Sequence, residues 1–198
     1  MTSSSINRVE RKTFAARADL LDRLSEVASK RGYSLYSLVN DIFEAFLSVD
    51  EAGVRFEEVL EGYKVLKRAR ECGFVLQLES LLYEMVDLAY RSAGSEVLKR
   101  WFEAGAWFAK RWFAKKREGE LWRELSRELK SLLWNIEEVE VEVLGERVSI
   151  SIFSPRFSEP YTISLASFLE GCLSALSYKV TSKEVLRGKI FVEACKVG

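Results

Sequence analysis

Residues 11–47 read Arg-Lys-Thr-Phe-Ala-Ala-Arg-Ala-Asp-Leu-Leu-Asp-Arg-Leu-Ser-Glu-Val-Ala-Ser-Lys-Arg-Gly-Tyr-Ser-Leu-Tyr-Ser-Leu-Val-Asn-Asp-Ile-Phe-Glu-Ala-Phe-Leu. The short basic stretch that opens them alternates in character, which predicts a β-strand with two unlike faces. From Ala18 the period changes. Leu20, Leu21, Leu24, Val27 and Ala28 recur at helical spacing, Gly32 closes that helix, and Ser34 stands at the N-cap of the next. Leu35, Leu38, Val39, Ile42 and Phe46 supply the second helix with one apolar stripe. A strand and two short helices fall below the roughly 40 residues at which a chain begins to fold unaided, so this unit is expected to dimerise.

The order and spacing of these elements resemble the ribbon-helix-helix DNA-binding family, the Arc and MetJ type, across residues 11–47. Alternation puts Arg11, Thr13 and Ala15 on one face of the strand and Lys12, Phe14 and Ala16 on the other. The resemblance implies a homodimer whose two-stranded ribbon buries Phe14 and turns the opposite face into the major groove of double-stranded DNA. There Arg11 can pair with guanine O6 and N7, Thr13 can bond a base edge, and Ala15 can touch a thymine methyl. Ala15 departs from the family, which more often has a polar reader at that place. The competing reading is an ordinary dimerisation ribbon with a solvated basic face. At the start of the second helix, the amides of Ser34, Leu35 and Tyr36 together with the positive end of the helix dipole suit a backbone phosphate. A plain N-cap by Ser34 explains the same residues.

Formal net charge is zero over 198 residues, so no global basicity marks a nucleic-acid binder. The positive charge is local: Arg8, Arg11, Lys12 and Arg17 face only Glu10 in the first 17 residues. Cys72, Cys172 and Cys195 are widely spaced, and the chain has no histidine. That disfavours a disulfide framework and a zinc site and points to a reducing, cytoplasmic setting. The first residues lack a signal-peptide core, and no apolar run reaches the roughly 18 residues of a membrane span. Charged residues make up 30% of the chain while Asn and Gln are scarce, a balance that suggests a thermophilic, archaeal source.

Beyond Leu47 the pattern breaks at Ser-Val-Asp-Glu-Ala-Gly, which places domain limits at 1–50 for the ribbon-helix-helix unit, 51–93 for a helical connector and 94–198 for an α+β domain. Helical periodicity runs from Val54 to Arg70 and from Leu76 to Arg91, stops at Ala93-Gly94, and returns over 96–116 and Leu121–Trp134. The 96–116 helix carries Trp101, Phe102, Trp107, Phe108, Trp112 and Phe113 around most of its circumference, which predicts burial on all sides. Its end holds a basic cluster, Lys110, Arg111, Lys115, Lys116 and Arg117, read as a solvated face. Then the period falls to two. Val139, Val141 and Val143 alternate with glutamates, Leu144-Gly145-Glu146 turns, and Val148, Ile150 and Ile152 alternate with serines, a β-hairpin whose glutamates face solvent. Pro155 and Pro160 mark a loop, Ile163–Tyr178 a helix, and residues 189–195 a closing strand that pairs near 179–182. The fold class is α+β: strand, helix and helix, a helical connection, then helix-helix-hairpin-helix-strand.

That last order, with Phe168-Leu-Glu-Gly-Cys-Leu-Ser-Ala-Leu-Ser-Tyr-Lys-Val followed by Glu184 and Gly188, resembles the four-vinyl-reductase domain over residues 80–196. That small-molecule-binding domain is related in fold to TRAPP tethering subunits and haem-nitric-oxide sensors. The resemblance implies a sensor of small molecules. The cysteines typical near the end of that family are replaced here by Leu186 and Ile190, and without histidine the usual haem ligand is missing, so no cofactor is expected. Trp101, Phe108 and Trp112 form one helical stripe that can line an apolar ligand pocket of about 300 Å³ or more between this helix and the hairpin sheet; core packing or a dimer interface are the plainer roles. No nucleophile beside a base, phosphate loop or metal cluster can be assembled, so an enzyme is not expected. The sequence reads as a dimeric, DNA-binding transcriptional regulator whose carboxyl-terminal domain dimerises and senses an apolar effector. The alternative is an interaction module, antitoxin-like or tethering-like, whose carboxyl-terminal domain binds a protein.

Overall fold

The computed structural model describes residues 12–113 and 116–197, and the chain divides into two compact units, up to Tyr63 and from Lys64 onwards. In the first unit, residues 12–17 precede α1 (Ala18–Arg31) without ladder pairing in the single chain. Gly32 ends α1 with φ of 71°, a left-handed backbone that costs a glycine nothing, and its amide and that of Tyr33 bond back to Ser29 and Ala28. α2 (Leu35–Glu51) begins at Ser34, whose hydroxyl accepts from the Ser37 amide at 3.0 Å. Among the described residues of this unit only Ala28 and Leu38 are buried apolar side chains; Ile42 and Phe46, expected in the stripe of the second helix, are exposed in the single chain. A helix pair with so little core is not self-sufficient. α3 (Phe56–Glu71) follows.

The second unit is built around a four-stranded antiparallel sheet in the order β1 (Glu138–Leu144), β2 (Arg147–Phe153), β4 (Lys189–Lys196), β3 (Tyr178–Leu186). The hairpin read from the valine–glutamate alternation is present in register, with Leu144 opposite Arg147 and Gly145 at φ 62° in the turn. One face of the sheet is apolar: Val139, Val148, Ile150, Ile152, Ile190, Val192 and Ala194 are buried, whereas Glu138, Glu140 and Glu142 are exposed. α6 (Glu159–Ala175) packs on β3 and β4, and α5 (Glu118–Leu132) on β1. α4 (Glu79–Trp112) lies along α6 in the most extensive helix contact of the unit. α6 is therefore covered on both sides. Its buried residues, among them Tyr161, Thr162, Leu165, Leu169 and Cys172, cover more than half of its circumference, and Glu170 and Ser174 mark the side left open.

Three local readings change. The two helices expected on either side of Ala93-Gly94 form one 34-residue helix, with its break retained as a kink at Ala93 (φ −153°, ψ 52°). Ser92 donates to the Leu88 carbonyl at 3.0 Å just before it, and a serine beside a glycine is a common cause of such bends. Burial of the aromatic helix on all sides is not observed, since Trp107 is 53% and Phe102 37% exposed. Only the side of α4 that meets α6 is packed. α6 starts earlier than expected because Pro160 lies in its first turn, where a missing N–H costs nothing, and Ser158 caps the Tyr161 amide at 3.3 Å.

Where α4 crosses α6 the backbones nearly touch. A Cβ on Gly105 would lie inside the van der Waals envelope of the Phe168 carbonyl oxygen, and one on Gly171 inside that of Phe102. The Cys172 thiol donates to the Gly105 carbonyl at 3.3 Å across the same crossing.

Candidate functional site

The close crossing of α4 and α6 holds Trp101, Ala104 and Phe108 against Tyr161, Leu165 and Phe168. The remaining walls are the segment that follows α3, Cys72–Gln77, the first turns of α4 at Glu79 and Leu82, and the end of α5 with the residues after it, from Glu128 to Asn135. These elements enclose a cavity of about 520 Å³, within the usual range for a small-molecule site. Its mouth is apolar too: Val75, Leu76, Trp107 and Trp134 line it and remain largely exposed. No strand contributes to the wall. The expected cavity thus has the expected aromatic helix on one side, but α5 and α6, not the hairpin sheet, on the other. The sheet lies against α6, which fills the space where the cavity was placed.

Few polar groups converge on this space. Asn135 donates to the hydroxyls of Tyr161 at 2.9 Å and Tyr83 at 3.1 Å, and Tyr83 in turn donates to Glu79 at 2.6 Å. Tyr161 is fixed by edge-on rings of Trp101, Tyr83 and Phe157, with centroids at 5.5, 4.8 and 4.9 Å. Burial pushes its pKa up, with the Glu79 charge adding to the shift, and Tyr83 is raised by burial and by its hydrogen bond to Glu79. Both phenols are neutral at physiological pH. The Cys72 thiol is likewise raised, first by burial and then by the Glu128 carboxylate.

Of the residues singled out in the sequence, Trp101 and Phe108 line the cavity, but Trp112 does not. It lines a second, smaller pocket of about 230 Å³ together with Arg68, Lys116, Glu124 and Arg127. One helical stripe cannot keep all three rings on the cavity because α4 presents Trp112 beyond the end of its contact with α6. In the basic cluster, the Arg111 guanidinium sits 5.6 Å from the Trp107 ring and 5.4 Å from that of Trp112, and Lys116 pairs with Glu124 at 2.9 Å. Lys110 and Arg117 are exposed, as a solvated face requires, so the contacts of Arg111 and Lys116 add to that reading. Arg11 lies outside the described residues; Thr13 and Ala15 are exposed on the segment before α1. Ser34 is the N-cap, Leu35 is half-buried and Tyr36 exposed. The sequence reading missed Tyr161, Phe168, Glu128 and Asn135: the first two lie seven residues apart on α6, Glu128 is on α5 and Asn135 follows it. The available signals were that seven-residue spacing and Gly171, three residues after Phe168 in the same helix.

No protein-family model matches the sequence, and no curated protein does. Solved structures do. One, described as "Probing the function of heme distortion in the H-NOX family", is similar with a TM-score of 0.39 and 12% identity over 69% of this chain and 85% of that one. A second, "Structural insights into the molecular mechanism of H-NOX activation", gives 0.36 and 13% over 69% and 86%. The cavity's own donors do not suit a haem: the chain has no histidine, and Cys72 and Tyr161, the potential axial ligands on this wall among the described residues, both hold their protons more tightly than usual. The described residues contain no cluster of three or more metal-ligating side chains, and none of their helices is long and apolar enough to cross a membrane.

Proposed function

We propose that this chain is a dimeric, DNA-binding transcriptional regulator whose carboxyl-terminal unit takes up an apolar small molecule. The observation that carries the sensing half is the 520 Å³ cavity with its aromatic walls and few convergent polar groups. The DNA-binding half is supported by the capped start of α2, by the basic segment before α1, and by a helix pair whose apolar side chains are left exposed in the single chain, as a surface for a second copy would be. In that assembly the ribbon face with Arg11, Thr13 and Ala15 reads bases while the start of α2, at Ser34, Leu35 and Tyr36, holds a phosphate.

A duplex selected from a random pool tests the DNA half. Arg11→Ala is expected to cost about 1–3 kcal/mol on the selected duplex and to relax preference at one position per half-site. Equal loss on selected and random duplexes at one fixed salt concentration would show that the segment only attracts the backbone. Ala104→Trp tests the cavity, because an indole there occupies the space between Trp101 and Phe108. Uptake of Nile red, followed by its fluorescence, is expected to disappear in this variant without a change in melting temperature; undiminished uptake would place the dye, and the site, elsewhere.

One feature favours a second reading. Val75 and Leu76 at the mouth of the cavity and Leu78 just after them in the chain are each more than 70% exposed, more apolar surface than a free loop normally shows. A protein partner inserting a side chain there would make the chain an interaction module. A stoichiometric protein that co-purifies, in place of a small apolar compound, decides for that reading.

A further inference from the structure

The large cavity and the smaller pocket are not independent, since Cys72, Phe108 and Glu128 line both. The first space is apolar and the second is walled by charge, so together they have the polarity profile of an amphiphile: a body on one side of this shared wall and a head group on the other.

What the head group is follows from two buried atoms. Glu128 is 7% exposed, and its Oε1 is bound by Arg68, with Arg127 at 3.8 Å, but its Oε2 has no hydrogen-bond partner among the described residues. The indole Nε1 of Trp112 is buried in the wall of the same small pocket and also lacks a partner among the described residues, while the Arg111 guanidinium lies against its ring. One orphan is an acceptor and the other a donor. A buried polar atom left unpaired is costly, so a group that donates to Glu128 and accepts from Trp112 would relieve both. Charge decides among such groups. The pocket wall carries three cations, Arg68, Lys116 and Arg127, against three carboxylates, Glu71, Glu124 and Glu128, and every one of those cations is paired with a carboxylate of the wall. With three charges of each sign on this wall, neither an ammonium nor a carboxylate meets a net counter-charge.

We propose that the molecule held by this unit is an uncharged amphiphile, an apolar body in the large cavity bearing a hydroxyl or amide head group that is received between Trp112 and Glu128. This rests on the reading of the large cavity as an apolar ligand site and adds the class of ligand.

Four probes with the same chain test it on the full-length protein by isothermal titration calorimetry, below their micellar concentrations: 1-decanol, decyl methyl ether, decylamine and decanoate. Decanol is expected to bind about tenfold more tightly than the ether, which accepts but cannot donate, with the two charged probes weaker still. Trp112→Phe, which keeps an aromatic ring and removes the donor, is expected to lower decanol affinity about tenfold. If that variant does not fold, the comparison of decanol with the ether on the unmodified protein still decides, because it reads the bond to Glu128. Equal affinity for decanol and the ether, tightest binding of decylamine or decanoate, or unchanged decanol binding by a folded Trp112→Phe would each overturn the head-group assignment while leaving the cavity reading intact. Failure of all four to bind would remove the cavity reading and this assignment with it.

Discussion

Gly171→Ala is expected to lower the stability of the carboxyl-terminal unit by about 3 kcal/mol or more, toward the upper end of what overpacking costs. The added methyl has nowhere to go. Its neighbours would be the Phe102 carbonyl oxygen and carbon and the Ala106 amide, all backbone of α4, and none of them can rotate aside as a side-chain tip would. The helices must therefore separate along a contact that also contains Gly105, the Cys172–Gly105 hydrogen bond and the rings of Phe108 and Phe168, whose centroids are 5.8 Å apart. Because Trp101, Ala104 and Phe168 line the cavity from this crossing, the same separation should also widen it and weaken binding of any apolar probe. Chemical denaturation followed by tryptophan fluorescence measures the first effect. A loss below about 0.5 kcal/mol, the scale of an ordinary surface substitution, would mean that the helices are not in contact there.

That crossing shows how much of the fold could be read in advance. The hairpin was legible because a half-covered antiparallel sheet enforces an alternation of valine and glutamate that no helix would share. The cap at Ser34 and the stop at Gly32 were legible because backbone donors at a helix start and a left-handed residue at its end each select a small set of side chains. α6 was recognised but begun too late, since Pro160 carries the same signal in a loop as in a first helical turn. The cavity was half legible. Trp101 and Phe108 declared themselves by number and spacing, whereas Asn135, Tyr161 and the residues after Cys72 reach the site only through tertiary structure, each from an element whose local pattern concerns something else. Trp112 was grouped with the cavity because a stripe drawn on one helix says which residues share a face but not where the partner helix ends.

In the amino-terminal unit the sequence makes a claim that a single chain cannot display, and Phe14 is where it can be tested most sharply. Phe14→Asp is expected to abolish DNA binding on every sequence and to collapse the protection of α1 and α2 amides in hydrogen exchange. In one chain Phe14 is 60% exposed, with its ring centroid 5.4 Å from that of Phe43, and Phe43 is itself 47% exposed. If that surface is final, replacing Phe14 should change stability by less than about 0.5 kcal/mol. If a second copy covers it, removal of the ring alone costs about 3–5 kcal/mol, and the unpaired carboxylate adds a desolvation penalty that the neighbouring apolar side chains cannot repay. The two cases differ by orders of magnitude in the population of the folded unit, since about 1.4 kcal/mol corresponds to a tenfold change. Hydrogen exchange is the better readout than molecular mass, because a contact between carboxyl-terminal units can keep two chains together after the ribbon has failed. With only Ala28 and Leu38 buried as apolar side chains, α1 and α2 have little else to hold them. Amide protection in residues 18–47 that survives Phe14→Asp would mean that the helix pair stands without a ribbon, and the ribbon-helix-helix reading would have to be abandoned.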